Sequence, residues 1–306
     1  MNRNKSIQKH RKWTALLLAV LMMAAIFAVP HTASAAVEAG QTFISLGEDL
    51  SPEGRAEVLR LFGLTEADLE NCTVISVSSQ EEHEMFDSYL PQDVIGNVSK
   101  SRSMITTREE GYGIQVRTEN ITWCTVSMYQ NALATAGIKD ADVVIASPGG
   151  ATGSSALLGV TKAYSEITGE SLKAESIDAA AEELILTGEV GDEIGDQDKA
   201  AELIASVKEA VAAEDLSKEE IENVIDEAAQ QLDIDPSSIN TEDISGLMEK
   251  IGELDLDSGS LREQAGAVYD KLKEKGVDLG ISKETALNWF QKLVKWFQDL
   301  WNRYVG

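Results

Sequence analysis

Cysteine, histidine and positive charge are scarce in this sequence, and each shortage excludes a class of functional site. Two of the three histidines lie within the first 35 residues, so the rest of the chain offers two cysteines and one histidine, fewer than the about four ligands of a structural zinc site. Basic residues number 26 against 52 acidic ones, and the formal charge of -26 repels nucleic acid at long range. We therefore expect no nucleic-acid partner and no metal site, and no motif indicates a cofactor.

Two short acidic motifs resemble fragments of calcium loops. They are Asp196-Gln197-Asp198 and the segment from Asp255 to Gly259. Neither has the spacing of an EF-hand, in which glycine stands at the sixth position and glutamate at the twelfth. Helix N-caps or solvated turns explain these acidic residues better than a cation site does.

The first 35 residues have the pattern of a secretory leader. Basic residues without an acidic one precede an apolar run from Thr14 to Val29, which Pro30 ends. Ala33-Ser34-Ala35 then matches the small-residue pattern that signal peptidase cleaves. We predict cleavage after Ala35 and a secreted or extracellular protein peripheral to the cell envelope. The alternative, a retained anchor, is disfavoured because the apolar run is short for a membrane span.

The cysteines, Cys72 and Cys124, leave two interpretations open. Export makes a disulfide between them chemically possible without making it necessary. However, Cys72 leads into an apolar run and Cys124 follows Trp123, so both are equally suited to be small buried residues. Cys72 and Cys124 are therefore a candidate disulfide, with two buried free thiols as the alternative.

The pattern of apolar and polar residues changes near Gly169, which predicts two parts of different fold. Residues 36–169 alternate strand-like and helix-like segments, which predicts an α+β (or α/β) domain with a mixed sheet and packed helices. Residues 170–280 are acidic, and their apolar positions recur at helical spacing, which predicts an all-helical region. Residues 281–306 are predicted to form a separate amphipathic, aromatic helix.

Strands and helices alternate in the first part in the order β-α-β-α-β-β-α-β-α. The predicted strands are Thr42–Leu46, Cys72–Val77, Ser103–Thr107, Gly113–Glu119 and Asp142–Ser147. The predicted helices between them are Pro52–Phe62, Gln80–Tyr89 and Thr125–Ala136. Capping boxes are expected at Ser79–Glu82 and Ser217–Glu220, and the glycines of Gly111–Gly113 predict a hairpin between the third and fourth strands.

A glycine-rich stretch follows the last predicted strand and precedes a helix expected to begin near Ser154. Such a turn can present backbone amides to an anion, and its candidate binding residues are Gly149, Gly150, Gly153, Ser154 and Ser155. The stretch lacks the lysine of a P-loop and the final glycine of a nucleophile elbow. A purely structural turn is the alternative, and a serine hydrolase would need His83 as its base.

The segment 281–306 has the most distinctive pattern after the leader. Placed on a helix, its large apolar residues fall on one half, with Lys292, Lys295 and Arg303 opposite. The candidate membrane-binding or partner-binding residues are Trp289, Phe290, Trp296, Phe297, Leu300 and Trp301. The wide aromatic face and the excess of basic residues indicate an interfacial helix. Packing onto preceding helices, or pairing with another copy, is the alternative.

Several short segments together resemble one known family. They are Ile44–Ser51, Glu81–Glu84, Val94–Gly96, Met128–Gly137 and Ala156–Gly159, with an acidic stretch at Gly191–Gly195. The chain resembles the YpuA-like secreted proteins, domain-of-unknown-function family 1002, from about Gly40 to Leu272. The resemblance implies an exported protein of Gram-positive-type bacteria with a leader, a mixed domain and a helical tail. It brings no established activity, cofactor or catalytic residue.

These observations predict an exported cell-envelope protein of unknown activity, which we expect to be a non-enzymatic binding protein. Its C-terminal helix would dock on a membrane surface or an envelope protein. One alternative is a hydrolase-like or anion-binding enzyme that uses the loop from Gly149 to Ser155. Another is a structural homo-oligomer that assembles through the C-terminal helix.

Overall fold

The computed structural model describes residues 39–47, 50–90, 102–168, 172–214 and 216–254, together with residues 256, 259, 261 and 266. These residues belong to one unit of the chain, Val37–Gly306. The predicted leader and the predicted helix of residues 281–306 lie outside the described residues.

Five strands form a mixed sheet in the order β2-β1-β3-β5-β4. The strands are β1 (Thr42–Gly47), β2 (Thr73–Val77), β3 (Arg102–Thr107), β4 (Ile114–Ile121) and β5 (Ala141–Ala151). β1 runs parallel to β2 and β4 parallel to β5, whereas β3 is antiparallel to both of its neighbours. The α+β class and the mixed sheet predicted from the sequence are confirmed.

The predicted hairpin at Gly111–Gly113 is wrong, because β5 lies between β3 and β4. The connection from β3 to β4 passes around the start of β5. There the Arg108 amide donates to the Asp140 carbonyl and the Gly113 amide donates to Asp140 Oδ1, at 2.8 Å each. β5 is buried on both faces at Val143, Val144, Ile145 and Ala146, as an interior strand should be. β4 exposes Gln115 and Arg117, which suits an edge position.

Four helices accompany the strands, and local caps set where most of them begin. They are α1 (Pro52–Phe62), α2 (Ser79–Phe86), α3 (Val126–Thr135) and α4 (Ala156–Thr168). Ser51 caps α1 at the predicted place, since its side chain accepts from the Gly54 amide at 3.1 Å. Ser78, and not Ser79, caps α2 in a box with Glu81, so the predicted box is one residue late.

The second half of the described chain is helical, as predicted. It contains α5 (Ala174–Ile194), α6 (Gln197–Ala213), α7 (Lys218–Gln231) and α8 (Thr241–Gly252). Short 3-10 helices span Glu66–Asn71 and Pro236–Ser238. The predicted capping box of Ser217 and Glu220 is confirmed, and the Asp196 side chain caps α6 by accepting from the Lys199 amide at 3.0 Å.

Both faces of the sheet are covered, and the helices of the second half reach the core of the first. One face contributes Ile44 and Val144 to a core cluster with residues of α1. The other face contributes Ile105 and Ile145 to a cluster that also holds Leu184 of α5. The change of composition near residue 169 therefore does not separate the hydrophobic cores, and the predicted division into domains stays a prediction.

Candidate functional site

The glycine-rich stretch is partly strand in the structure. β5 continues through Gly149 and Gly150 to Ala151, which pairs with Ile121 across a bulge that begins after Glu119. The expected loop at Gly149–Gly153 is therefore shorter, because residues up to Ala151 are held in the sheet. The helix α4 then begins at Ala156, two residues after the predicted start at Ser154.

The turn around Gly153 is fixed by contacts with other parts of the protein. Its φ angle is +109°, and an added Cβ atom would overlap the Tyr129 hydroxyl group. That hydroxyl donates to the Gly153 carbonyl at 2.7 Å, and the Ala156 amide donates to the same oxygen at 3.0 Å. The geometry explains the glycine as a packing requirement, and the anion-binding role of Gly149, Gly150, Gly153, Ser154 and Ser155 stays a prediction.

His83 has a carboxylate partner within its own part of the chain. It lies in α2, and its Nδ1 atom is 2.7 Å from Oδ1 of Asp87, the residue that follows the helix. Ser154 and Ser155 lie immediately before α4 and are half-buried. The structure gives His83 a carboxylate partner in Asp87, and its role as the base of a serine nucleophile stays a prediction.

The two cysteines are free and lie on opposite sides of the sheet. Cys72 packs against the cluster on the α1 face, whereas Cys124 belongs to the cluster on the other face. The sheet between them keeps the candidate bridge unformed in this structure. Burial raises the pKa of Cys124 to about 12, which makes the thiol a poor nucleophile.

An acidic cleft of about 430 Å³ lies between α5 and α8. Glu182 and Glu189 of α5 face Glu242 and Asp243 at the start of α8, with Ser88 and Tyr89 also on the wall. Burial, followed by the charge of Asp243, raises the pKa of Glu189. Such a cleft attracts cations. Among the described residues, no three potential metal ligands come close enough together to hold an ion.

One wall of this cleft is fixed by a group of interacting polar side chains. The Tyr89 hydroxyl donates to Asp178 at 2.5 Å, and Lys250 binds both Asp178 and Glu182. The Lys250 ammonium group also lies 5.8 Å from the centre of the Tyr89 ring. Burial, with help from the hydrogen bond to Asp178, raises the pKa of Tyr89 to about 12. The sequence pattern did not reveal this cleft, because its acidic residues resemble solvated helix faces.

A buried ion pair joins three helices beneath the sheet face covered by α3. Lys208 of α6 donates to Glu183 of α5 at 2.6 Å, and to Asn131 O and Thr135 Oγ1 of α3 at 2.9 and 3.0 Å. The side chains of Lys208 and Glu183 are 3% and 0% exposed. Burial lowers the pKa of Lys208. Because these side chains are buried, we expect the network to fix the helices relative to one another.

Trp123 anchors the loop after β4 to α5. Its indole N–H donates to Asp192 at 2.9 Å, and its ring lies directly against Gly188, where an added Cβ atom would overlap it. We expect Gly188→Ala to lower the free energy of unfolding by about 1–3 kcal/mol, because the ring must move. Thermal or urea unfolding would measure the change.

Gly246 offers the matched control, because it also lies within a helix but has no neighbouring atom within 4 Å of the place that a Cβ atom would take. Gly246→Ala should leave stability unchanged or raise it by about 0.5–1 kcal/mol through helix propensity. Equal effects of the two substitutions would contradict the packing argument.

None of the described helices is both long enough and apolar enough to cross a membrane.

The sequence resemblance predicted from short segments is confirmed by comparison with known proteins. Residues 46–268 match the family model described as "Protein of unknown function (DUF1002)". The chain is also similar to the uncharacterized protein YpuA of Bacillus subtilis (strain 168), with 33% identity over 296 residues, 96% of this chain and 98% of the relative. No solved structure matches the chain. The chain belongs to the DUF1002 family, whose function is unknown.

Proposed function

We propose that this chain is an exported, non-enzymatic binding protein of the cell envelope, held at an anionic membrane surface by residues 281–306. The observation that carries the proposal is the contrast between this segment and the rest of the chain. The segment holds four basic and two acidic residues, whereas the whole chain has a formal charge of -26. It also concentrates Trp289, Trp296 and Trp301 on one side of a helical projection.

The proposed mechanism combines apolar burial with attraction to headgroups. Phe290, Phe297 and Leu300 would enter the boundary between headgroups and acyl chains, and the indoles would keep their N–H groups near water. Lys292 and Lys295 would lie nearest the anionic headgroups. The acidic remainder of the chain is repelled by the same surface, so it would face away from the membrane and stay available to partners.

Co-sedimentation with vesicles tests this proposal. The chain from Ala36 to Gly306 should bind vesicles that contain phosphatidylglycerol, and Trp296→Ser, Phe297→Ser and Leu300→Ser together should reduce the bound fraction to background. The three replaced side chains supply several kcal/mol of apolar burial, at about 1.5–3 kcal/mol each.

The matched control replaces residues of the polar half: Asn288→Ser, Gln291→Ser and Gln298→Ser. This variant should bind vesicles as well as the parent chain does. Binding that survives in the apolar-face variant would contradict the proposal. If the parent does not bind and instead sediments as an oligomer that the apolar-face variant breaks, the homo-oligomer alternative is correct.

A further inference from the structure

β2 forms one edge of the described sheet. It pairs with β1 on one side, and no described residue forms a ladder with the other side. Alternate residues of an edge strand direct N–H and C=O groups away from the sheet, where another strand can bind them. The Ser76 carbonyl accepts from Lys162 at 2.8 Å. The open stretch therefore lies before Ser76, around Val74.

The residues of β2 lack the features that usually protect an edge strand. The strand, Thr-Val-Ile-Ser-Val, has no charged residue and no proline, and Val74 is 42% exposed. The opposite edge, β4, is protected in two ways. Arg117 and Glu119 form an ion pair on it, and a bulge interrupts its pairing after Glu119. The contrast marks β2 as the edge available to a partner.

The charged residues near the two ends of β2 indicate which charges a partner strand should carry. Asp68 and Glu70 are exposed in the 3-10 helix before β2, and Glu84 is exposed in α2 after it. Lys162, which binds the Ser76 carbonyl, is paired with Glu81 and so does not offset these acidic residues. Pairing of two copies through β2 would bring the acidic residues of one copy near those of the other. Like charges, on chains with a formal charge of -26, oppose that pairing. A strand with basic residues at its ends would instead be attracted by these acidic residues.

We infer that the outer edge of β2 is a docking site for an extended segment of another protein, in which basic residues flank a short β-branched stretch. Backbone hydrogen bonds to β2 supply the affinity, and the side chains beside Val74 contact alternate residues of the added strand. The site lies on the sheet and is independent of membrane binding by residues 281–306.

A fluorescent peptide of alternating threonine and valine, with lysines at both ends, tests the inference by anisotropy. It should bind the chain from Ala36 to Gly306. A peptide with the same ends but prolines in place of both the threonines and the valines should bind at least about tenfold more weakly, because it has no N–H groups to donate to the ladder. A peptide with glutamates at its ends should also bind more weakly.

Substitutions in the protein locate the site. Val74→Lys should weaken binding of the lysine-ended peptide by about tenfold, whereas Val74→Thr should preserve it. Gln115→Lys is the matched control, because it adds the same charge to the exposed edge strand β4 and should have little effect. Val74 is exposed, so thermal unfolding of these variants should remain close to that of the parent.

Two results would overturn the inference. Equal binding of the proline peptide would show that the peptide is attracted by the acidic surface alone. Self-association that strengthens with added salt and is abolished by Val74→Lys would identify a second copy as the occupant, because salt screens the like charges that oppose it.

Discussion

Replacing Lys208 with methionine should lower the free energy of unfolding by about 3–5 kcal/mol. The substitution removes the partner of a carboxylate that is 0% exposed. It also removes the donor to Asn131 O and to Thr135 Oγ1. Glu183 would then remain as a buried charge without its ionic partner. Urea unfolding of parent and variant measures the difference.

A double replacement distinguishes the cost of an unpaired buried charge from the cost of altered packing around the pair. Lys208→Met together with Glu183→Leu should recover at least half of the loss, because no charge then remains buried without a partner. Arg55→Met is the surface control, since Arg55 and Glu66 form a solvent-exposed pair whose loss should leave unfolding nearly unchanged. A cost below about 1 kcal/mol for Lys208→Met would indicate that water reaches the network.

Replacing Glu202 with glutamine should remove much of the loss of stability that we expect between pH 5 and pH 8. Glu202 lies in α6 and is 2% exposed, and its Oε2 atom has no hydrogen-bond partner among the described residues. Burial, with a smaller contribution from the charge of Glu209, raises its pKa from 4.5 to about 8. A raised pKa means that the folded state prefers the protonated carboxyl group.

The sign of the pH dependence follows from that preference. Below about pH 4.5 Glu202 is protonated in both states, and its contribution to stability is fully present. As the pH rises toward 8 the unfolded chain releases this proton first, so the contribution is progressively lost. The shift corresponds to a few kcal/mol, on the order of 1.4 kcal/mol per unit.

Urea unfolding at several pH values tests this expectation. Glu202→Gln should exceed the parent in stability at pH 8 by about 3–5 kcal/mol and match it near pH 4.5. Glu219→Gln, at an exposed position of α7, is the control and should follow the parent at every pH. The raised pKa values of Glu189 and Glu227 act in the same direction in all three proteins, so they cancel in the comparison. Parallel pH profiles for parent and Glu202→Gln would contradict the assignment.

Short-range sequence patterns predicted the helices and strands of this fold well, because helix caps and strand alternation depend on only a few neighbouring residues. Ser51 with Pro52 begins α1, and Ser217 with Glu220 begins α7, as expected from the sequence. The error at α2 has a local cause. Ser78 and Ser79 each precede a glutamate by three residues, so the capping pattern occurs twice in adjacent registers.

The order of strands could not be predicted from adjacent residues. Gly111 and Gly113 mark a real turn, but the strand that enters between its two arms, β5, comes later in the chain. The uninterrupted apolar run from Val143 to Ala146 was an available sign that β5 lies inside the sheet. The buried pair of Lys208 and Glu183 was not predicted either, because charged residues on a helix usually indicate a solvated face.

Because β5 lies between β3 and β4, no two of the described strands form a local hairpin. Phe43 pairs with Thr73 and then with Ile105, and Val116 pairs with Val143, so every ladder joins distant parts of the chain. A sheet built in this way folds slowly, because long loops must close before any ladder is stable. A nascent chain that has emerged only as far as β4 lacks the strand that joins β3 to β4. Slow, late folding would suit the export that we propose for this chain, because a polypeptide that crosses a membrane unfolded must not fold beforehand.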